Sequence, residues 1–339
     1  MDITIKTSLN TEERKEVWDF LKEFRYVPYH QFPEYPSIEG LKATAFIARK
    51  DKQVIGWVQV IEKGSMLAAI EFGPLAINES SVSALLIHVV QHYRKKFFFI
   101  LRWMPYWYTP SSFEQICAQA GAKVSFINAA NLRHWSSRRI SLSDSGEIIL
   151  KKFSENHRRN IKKAMGLQLK CEIIKDNTTI KMFADGYVNM YQHRNLKINN
   201  SDVMHLFTKL HEYFQETGKG FFIGAFKEDV LLGGIVMIYQ GDTALYYKGY
   251  INHEQRQMPI NHVVFYNAIL FCKEDKMQWF DLGGYAADTK NDQLININKF
   301  KDGFRGEPVN FPESKIIGLN LLSKMAYLAL SLKNKLSGV

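Results

Sequence analysis

The sequence predicts a mixed α/β (α+β) protein made of two copies of one α/β unit, packed around a shared cleft. Three observations carry that reading. The chain has 339 residues, more than one core comfortably organises, so two domains of ordinary size are expected. The order helix, antiparallel meander, helix, strand occurs once in each half. Both meanders turn between their first two strands on a charged run, Arg49-Lys50-Asp51-Lys52 and Lys227-Glu228-Asp229.

In the first half, Ile3 and Ile5 alternate with polar residues and predict a short strand. A helix over 11–23 follows, with Val17, Phe20 and Leu21 spaced for one buried face. Residues 28–37, rich in Pro, Tyr and His, read as a loop. Strands are expected over 43–48, 54–61 and 66–72. A helix over 81–93 places Leu85, Leu86, Val89 and Val90 on its apolar side. Residues 97–101 read as a buried strand, and a short helix over 113–120 ends at Gly121.

In the second half, helices are expected over 147–165, 180–194 and 203–216. Strands follow over 221–226, 230–239 and 244–250. A helix over 261–273 leads to a strand over 277–282, a last short helix covers 294–301, and 308–312 is extended. Residues 319–336 are helical in pattern, with Leu321, Leu322, Met325, Leu328 and Leu332 on a wide apolar face. That helix packs on the protein or, as the alternative, docks on an anionic membrane. The boundaries are an N-terminal domain over 1–142, a C-terminal domain over 143–316 and an amphipathic helix over 317–339. No Gly- or Ser-rich tether divides the halves, which suggests domains packed on each other with a cleft of the kind that favours small ligands.

Apolar content of 46% and charged content of 23% fit an ordinary globular protein. The balance of 44 basic against 34 acidic side chains gives +10. It suits a partner rich in phosphate: tRNA, a nucleotide- or lipid-linked precursor, or an anionic membrane surface. Cys117, Cys171 and Cys272 lie far apart without a Cys-x-x-Cys pair. A zinc ribbon and a disulfide framework are therefore not indicated, and a reducing cytoplasm is expected. The N-terminus lacks the apolar core of a signal peptide, and no run reaches the roughly 18 apolar residues of a spanning helix. The expected location is the cytoplasm, with peripheral contact at the inner face of the membrane as an addition. His88 and His92 sit one helical turn apart but lack a third ligand, so no metal is expected. A serine triad is unsupported without Gly-x-Ser-x-Gly.

Three segments are candidates for chemistry. Lys151, Lys152, Arg158, Arg159, Lys162 and Lys163 fall on one flank of a predicted helix, opposite Ile149, Leu150, Phe153, Ile161 and Ala164. That leaves a basic face for phosphates, although a solvated helix face looks the same. The second is Tyr246-Tyr247-Lys248-Gly249-Tyr250 followed by Arg256 and 257–262, a strand leading through a loop into a helix, where backbone N–H groups can meet an anion. The third joins Asp281, at a strand end, to Gly283 and Gly284, and adds Phe300 and Phe304 one turn apart around Lys301. A fixed ammonium there would stabilise the oxyanion of an acyl transfer.

The run His157-Arg158-Arg159-Asn160-Ile161-Lys162-Lys163-Ala164, then Arg194, Asp281-Leu282-Gly283-Gly284 and Phe300-Lys301-Asp302-Gly303-Phe304 resembles the FemABX family. Tyr29-His30-Gln31 and Glu71-Phe72-Gly73-Pro74-Leu75 look like its first domain. The resemblance runs from the Tyr29 loop to Pro312. It implies two GNAT-like acyltransferase domains and an aminoacyl- or acyltransferase that forms an amide on an amine of a cell-envelope precursor. In the family's best-known members the acceptor is a peptidoglycan peptide and the donor aminoacyl-tRNA. No tightly bound cofactor is implied. The resemblance makes Lys301 the catalytic residue, with Phe300 beside it at the substrate, and makes Arg194 and Tyr247 candidates for binding the acceptor or its phosphates.

The sequence departs from the pattern at Arg305, where a glycine commonly stands, and carries no coiled-coil arm after Lys163. In GNAT enzymes the loop 256–262 would hold the pyrophosphate of acyl-CoA on glycines. Here Pro259 and Asn261 stand in their place, which weakens acyl-CoA as donor. The attacking amine must be neutral, and Asp281 and His253 are candidate bases. Two alternatives remain. One is a GNAT-type N-acyltransferase using acyl-CoA on an amino sugar of a surface polysaccharide. The other is a non-catalytic RNA- or lipid-binding protein.

Overall fold

The computed structural model describes residues 1–106, 115, 136–255, 257–320, 322, 323 and 325. The chain forms two compact units, one from residues 1–135 and 311–339, the other from 136–310. The expected helix over 113–120, most of that over 319–336, and Arg256 lie outside the described residues.

In the first unit the elements run β1 (Asp2–Lys6), α1 (Thr11–Leu21), α2 (Tyr35–Glu39), β2 (Lys42–Lys50), β3 (Gln53–Lys63), β4 (Leu67–Ile70), β5 (Leu75–Ala76), α3 (Glu79–Lys95) and β6 (Ile100–Trp103). The sheet order is β1-β2-β3-β4-β6, closed by the returning strand Lys315–Gly318, with β5 on β3. All pairs are antiparallel except β4 with β6, which the crossover through α3 makes parallel. Asn10 and Glu13 form a capping box that starts α1. Leu85, Leu86, Val89 and Val90 of α3 bury against Phe46, Val58 and Val60 of the sheet. The run 97–101 is not one buried strand. Phe97 takes φ +61 and is 82% exposed, because the end of α3 turns through it before β6 begins at Ile100.

The second unit contains β7 (Ser136–Ser141), α4 (Gly146–Lys152), α5 (Glu155–Gly166), β8 (Lys170–Ile174), α6 (Asn177–His193), α7 (Asn200–Thr217), β9 (Gly220–Lys227), β10 (Val230–Gln240), β11 (Thr243–Ile251), α8 (Ile260–Glu274), β12 (Trp279–Asp281), α9 (Asp292–Asp302) and β13 (Glu307–Asn310). Its order is β13-β7-β12-β11-β10-β9-β8. Here too a four-strand antiparallel meander is followed by a crossover helix, α8, and a parallel strand, β12. The charged turns of the two meanders match in detail: Asp51 and Lys52 have φ +50 and +70, Glu228 and Asp229 +49 and +66. Two central residues with positive φ make the tight hairpin whose twist suits the strands. The expected single helix over 147–165 is two helices. Phe153 is extended and buried, and the Ser154 side chain accepts from His157 N–H to start α5 afresh.

Candidate functional site

Strands β11 and β12 pair over only three residues, Thr243–Leu245 with Trp279–Asp281. The ladder ends there, and the second unit's chemistry-bearing residues collect around that end. Tyr247 is the extra residue of a bulge in β11, since Val236 faces Lys248 while Met237 faces Tyr246. A bulge re-aims side chains and interrupts the ladder.

Asp281 ends β12 with its carboxylate buried. Oδ1 accepts from Gly283 N–H at 2.8 Å and from the Ser137 hydroxyl, and Oδ2 from Arg139 Nε at 2.8 Å. Three donors fix this carboxylate as the anchor of the Gly283–Gly284 turn. Gly283 has φ +71, and a Cβ there would stand 2.8 Å from the Tyr246 carbonyl, so only glycine lets the two strands approach this closely. The turn's carbonyls point at Lys301 of α9. Its ammonium donates to Gly284 O at 2.6 Å and Gly283 O at 3.2 Å. Lys301 is only 5% exposed. Burial pulls its pKa down to about 8, against the opposing pull of Asp281. An ammonium has three N–H donors, and among the described residues two are committed. The third is available to a developing negative charge.

A packed aromatic group holds α9. Phe300 and Phe304 meet edge to face at 5.2 Å, and Phe304 also meets Phe153 and His157. His157 Nε2 lies 2.9 Å from Phe300 O, and its Nδ1 3.2 Å from the Ser154 hydroxyl. A carbonyl only accepts, so Nε2 carries the proton and Nδ1 accepts from Ser154. Burial lowers the His157 pKa, against the opposing pull of the Phe300 bond. Burial and then His157 push His262 down to about 4. A Cβ on Gly303 would lie 2.0 Å from the His157 ring. The motif Phe-Lys-Asp-Gly-Phe is thus built around one neutral imidazole that fixes the carbonyl next to Lys301.

On β11, Tyr246 packs on Phe265 at 4.7 Å, with its ring 6.0 Å from the Lys301 ammonium. Burial and Tyr191 push the Tyr246 phenol up to about 12, with Arg194 opposing. The Tyr187 hydroxyl donates to that of Tyr191 at 3.0 Å. Arg194, the cation that opposes the rise at Tyr246, is the C-cap of α6.

The structure links Lys301 to Gly283 and Gly284, and Gly283 to Asp281, by hydrogen bonds. Phe300 is a packing residue of the α9 anchor, and Tyr247 lies at the bulge with the Lys248 ammonium 4.5 Å above its ring. The basic run divides between α4 and α5. Arg158 donates to Lys151 O at 3.0 Å and to Phe153 O, tying down the end of α4. Arg159 donates to Asn156 at 2.9 Å, while Lys162 and Lys163 are exposed. His253 stacks on His193 at 4.8 Å. Ser137, Arg139 and Tyr191 are site residues that the pattern alone did not single out. The first two sit on β7, whose Ser-Ser-Arg-Arg-Ile-Ser run has no hydrophobic alternation to mark it.

At the matching end of the β4–β6 pairing in the first unit, side chains are tied to one another and to the backbone. The Gln31 amide donates to Glu71 O at 2.8 Å and its oxygen accepts from Gln59 N–H at 2.9 Å. The Glu71 carboxylate takes Arg102 at 2.5 Å, Lys63 at 3.2 Å and His30 at 3.5 Å. Among the described residues no three His, Cys, Asp or Glu side chains gather to hold a metal, and no helix is long and apolar enough to cross a membrane.

Residues 151–291 match a family described as an acetyltransferase (GNAT) domain. No curated protein matches the sequence. Among solved structures, FemX superposes with a TM-score of 0.76 at 14% identity, covering 97% of this chain and 99% of its own. L-PGS from Bacillus licheniformis gives 0.58 at 10% identity, covering 96% of each. A tandem GNAT protein from the clavulanic acid biosynthesis pathway gives 0.57 at 12%, covering 94% and 99%. The likeness to FemABX drawn from the sequence is therefore borne out in the fold: the chain has a tandem GNAT-like fold similar to that of FemX.

Proposed function

We propose that the chain is an acyltransferase that forms an amide bond on an amine of a cell-envelope precursor, with a peptidoglycan peptide as acceptor and aminoacyl-tRNA as donor. One observation carries the reading. A buried ammonium, Lys301, is held by two carbonyls beside the end of the β11–β12 pairing, with one donor to spare among the described residues. The neutral acceptor amine attacks the ester carbonyl of the donor, and the carbonyl oxygen gains the negative charge that Lys301 stabilises. The C–O bond to the ribose then breaks, the electron pair leaves with the ribose oxygen, and the proton lost by the amine balances the one that oxygen gains. Below pH 8 the Lys301 ammonium is mostly charged. Asp281 holds the Gly283–Gly284 turn that aims it.

Two features favour an aminoacyl-tRNA over acyl-CoA. At the start of α8, Pro259 has no N–H, and the Ile260 N–H is already given to Met258 O at 2.9 Å. Two donors that a pyrophosphate would use are absent or taken. Exposed Arg159, Lys162 and Lys163 on α5 suit a polyphosphate partner. The family match to an acetyltransferase domain supports the second reading, acyl-CoA on an amino sugar. Purified protein assayed with charged tRNA plus a peptidoglycan precursor, and separately with acetyl-CoA plus an amino sugar, decides between them. Product from the first pair, lost in Lys301→Met with the fold intact, is expected. Full activity of Lys301→Met would remove the ammonium from the mechanism.

A further inference from the structure

Helix α6 presents one stripe at i, i+3, i+4, i+7, i+8 and i+11 to the far ends of β10 and β11, where a cavity of about 350 Å³ opens. Gly186 sets how closely the helix lies: a Cβ there would fall 2.3 Å from the Tyr250 ring. The volume is at the lower end of the roughly 300–1,000 Å³ usual for small-ligand sites.

Its chemistry is the reverse of the chain's. The protein carries +10, yet among the described residues no Lys or Arg lines this cavity, while Asp185 and Glu254 do. Met182, Met190 and Leu231 give an apolar, adaptable wall. Asn189 and Asn252 add amide oxygens. His193 and His253, stacked 17° from parallel, form a flat side. The cavity adjoins the last turns of α6, whose carbonyl end favours a cation. Among the described lining residues a phosphate would meet two carboxylates and no Lys or Arg. A cation without an apolar stem would leave the Met and Leu wall uncovered.

We propose that this cavity binds a primary ammonium on an aliphatic stem, the chemistry shared by a lysine side chain and a free diamine. The stem lies along Met182, Met190 and Leu231. The three N–H donors of the ammonium are divided among the Asp185 and Glu254 carboxylates and an Asn oxygen. This goes beyond the transferase reading and does not depend on it, because no residue of the Lys301 site takes part.

Calorimetric titration of the full chain with Nα-acetyl-lysine methylamide and with pentane-1,5-diamine tests it, with Nα-acetyl-norleucine methylamide as the stem lacking nitrogen. At least one amine should bind at least tenfold tighter than the norleucine compound. Asp185→Asn with Glu254→Gln should weaken that binding tenfold or more, and Lys301→Met should leave it unchanged. The two exposed isosteric changes should keep the native circular dichroism and melting profile. Which amine binds tighter distinguishes a peptide lysine from a free diamine. Equal binding of the norleucine compound, binding indifferent to the two carboxylates, or no amine binding at millimolar concentration would overturn the proposal. An inactive enzyme that still binds the amine would instead count against the transferase reading.

Discussion

At Lys301 function and stability oppose each other. Burial lowers its pKa to about 8 from the usual 10.5, so the folded state holds this proton less tightly than the unfolded state does. The stability cost is fully present below about pH 8 and is relieved as pH rises from 8 towards 10.5. By linkage that cost is on the order of 3 kcal/mol. Wild type should therefore gain stability relative to Lys301→Met between pH 8 and 10, read as a converging or crossing pair of urea midpoints. Over the same range the ammonium is lost, so turnover should fall with an apparent pKa near 8. A turnover that keeps rising to pH 10 would contradict a charged Lys301. His157 offers a second test. His157→Ala leaves the Phe300 carbonyl unpaired and opens a void, for an expected loss of about 2–4 kcal/mol. His157→Gln, which can still donate, should recover part of it and most of the activity. Arg305, the departure from the family pattern, has φ +56. A non-glycine residue costs roughly 1–2 kcal/mol there, so Arg305→Gly should raise the melting temperature by a few degrees.

At the scale of elements, the break between α4 and α5 shows what the residue pattern conveyed and what it hid. The helical period across 147–165 was plain, but the Ser154 cap and the extended Phe153 were masked by good helix formers on either side. Phe153 reads as a helix-face residue, yet it is buried among Tyr266 and Phe304, which only tertiary packing decides. Ser154→Ala should cost about 0.5–2 kcal/mol, measured by thermal unfolding. The basic residues also separate by role. Arg158→Ala frays α4 by freeing two carbonyls. Replacing Lys162 and Lys163 should leave melting unchanged while weakening tRNA binding, with the log–log salt slope falling by about 1 for each phosphate contact removed. Unchanged tRNA binding in the Lys162/Lys163 variant would detach α5 from the donor. The Asp281–Gly284 and Phe300–Phe304 segments were legible because strand end, glycine pair and aromatic spacing are local signals. Their anchors on β7 were not, since Ser137 and Arg139 reach Asp281 across more than a hundred residues of chain.

At the scale of the molecule, the duplication was readable because each copy repeats its own local order and its own charged hairpin. The return of the chain to the first unit was not. Lys315–Gly318 pairs with β6, and nothing within a few residues of Ile317 announces so distant a partner, although Ile317 and Leu319 are fully or nearly buried. Residues 136–310 are thus an insertion within the first unit. During synthesis the inserted half emerges whole, with its last strand β13, before the final strand of the half that began first. On a ribosome adding residues one at a time, the domain whose N-terminus appears first is the last to be completed. Its β6 edge must wait, unpaired and open to other strands, until Lys315–Gly318 arrives.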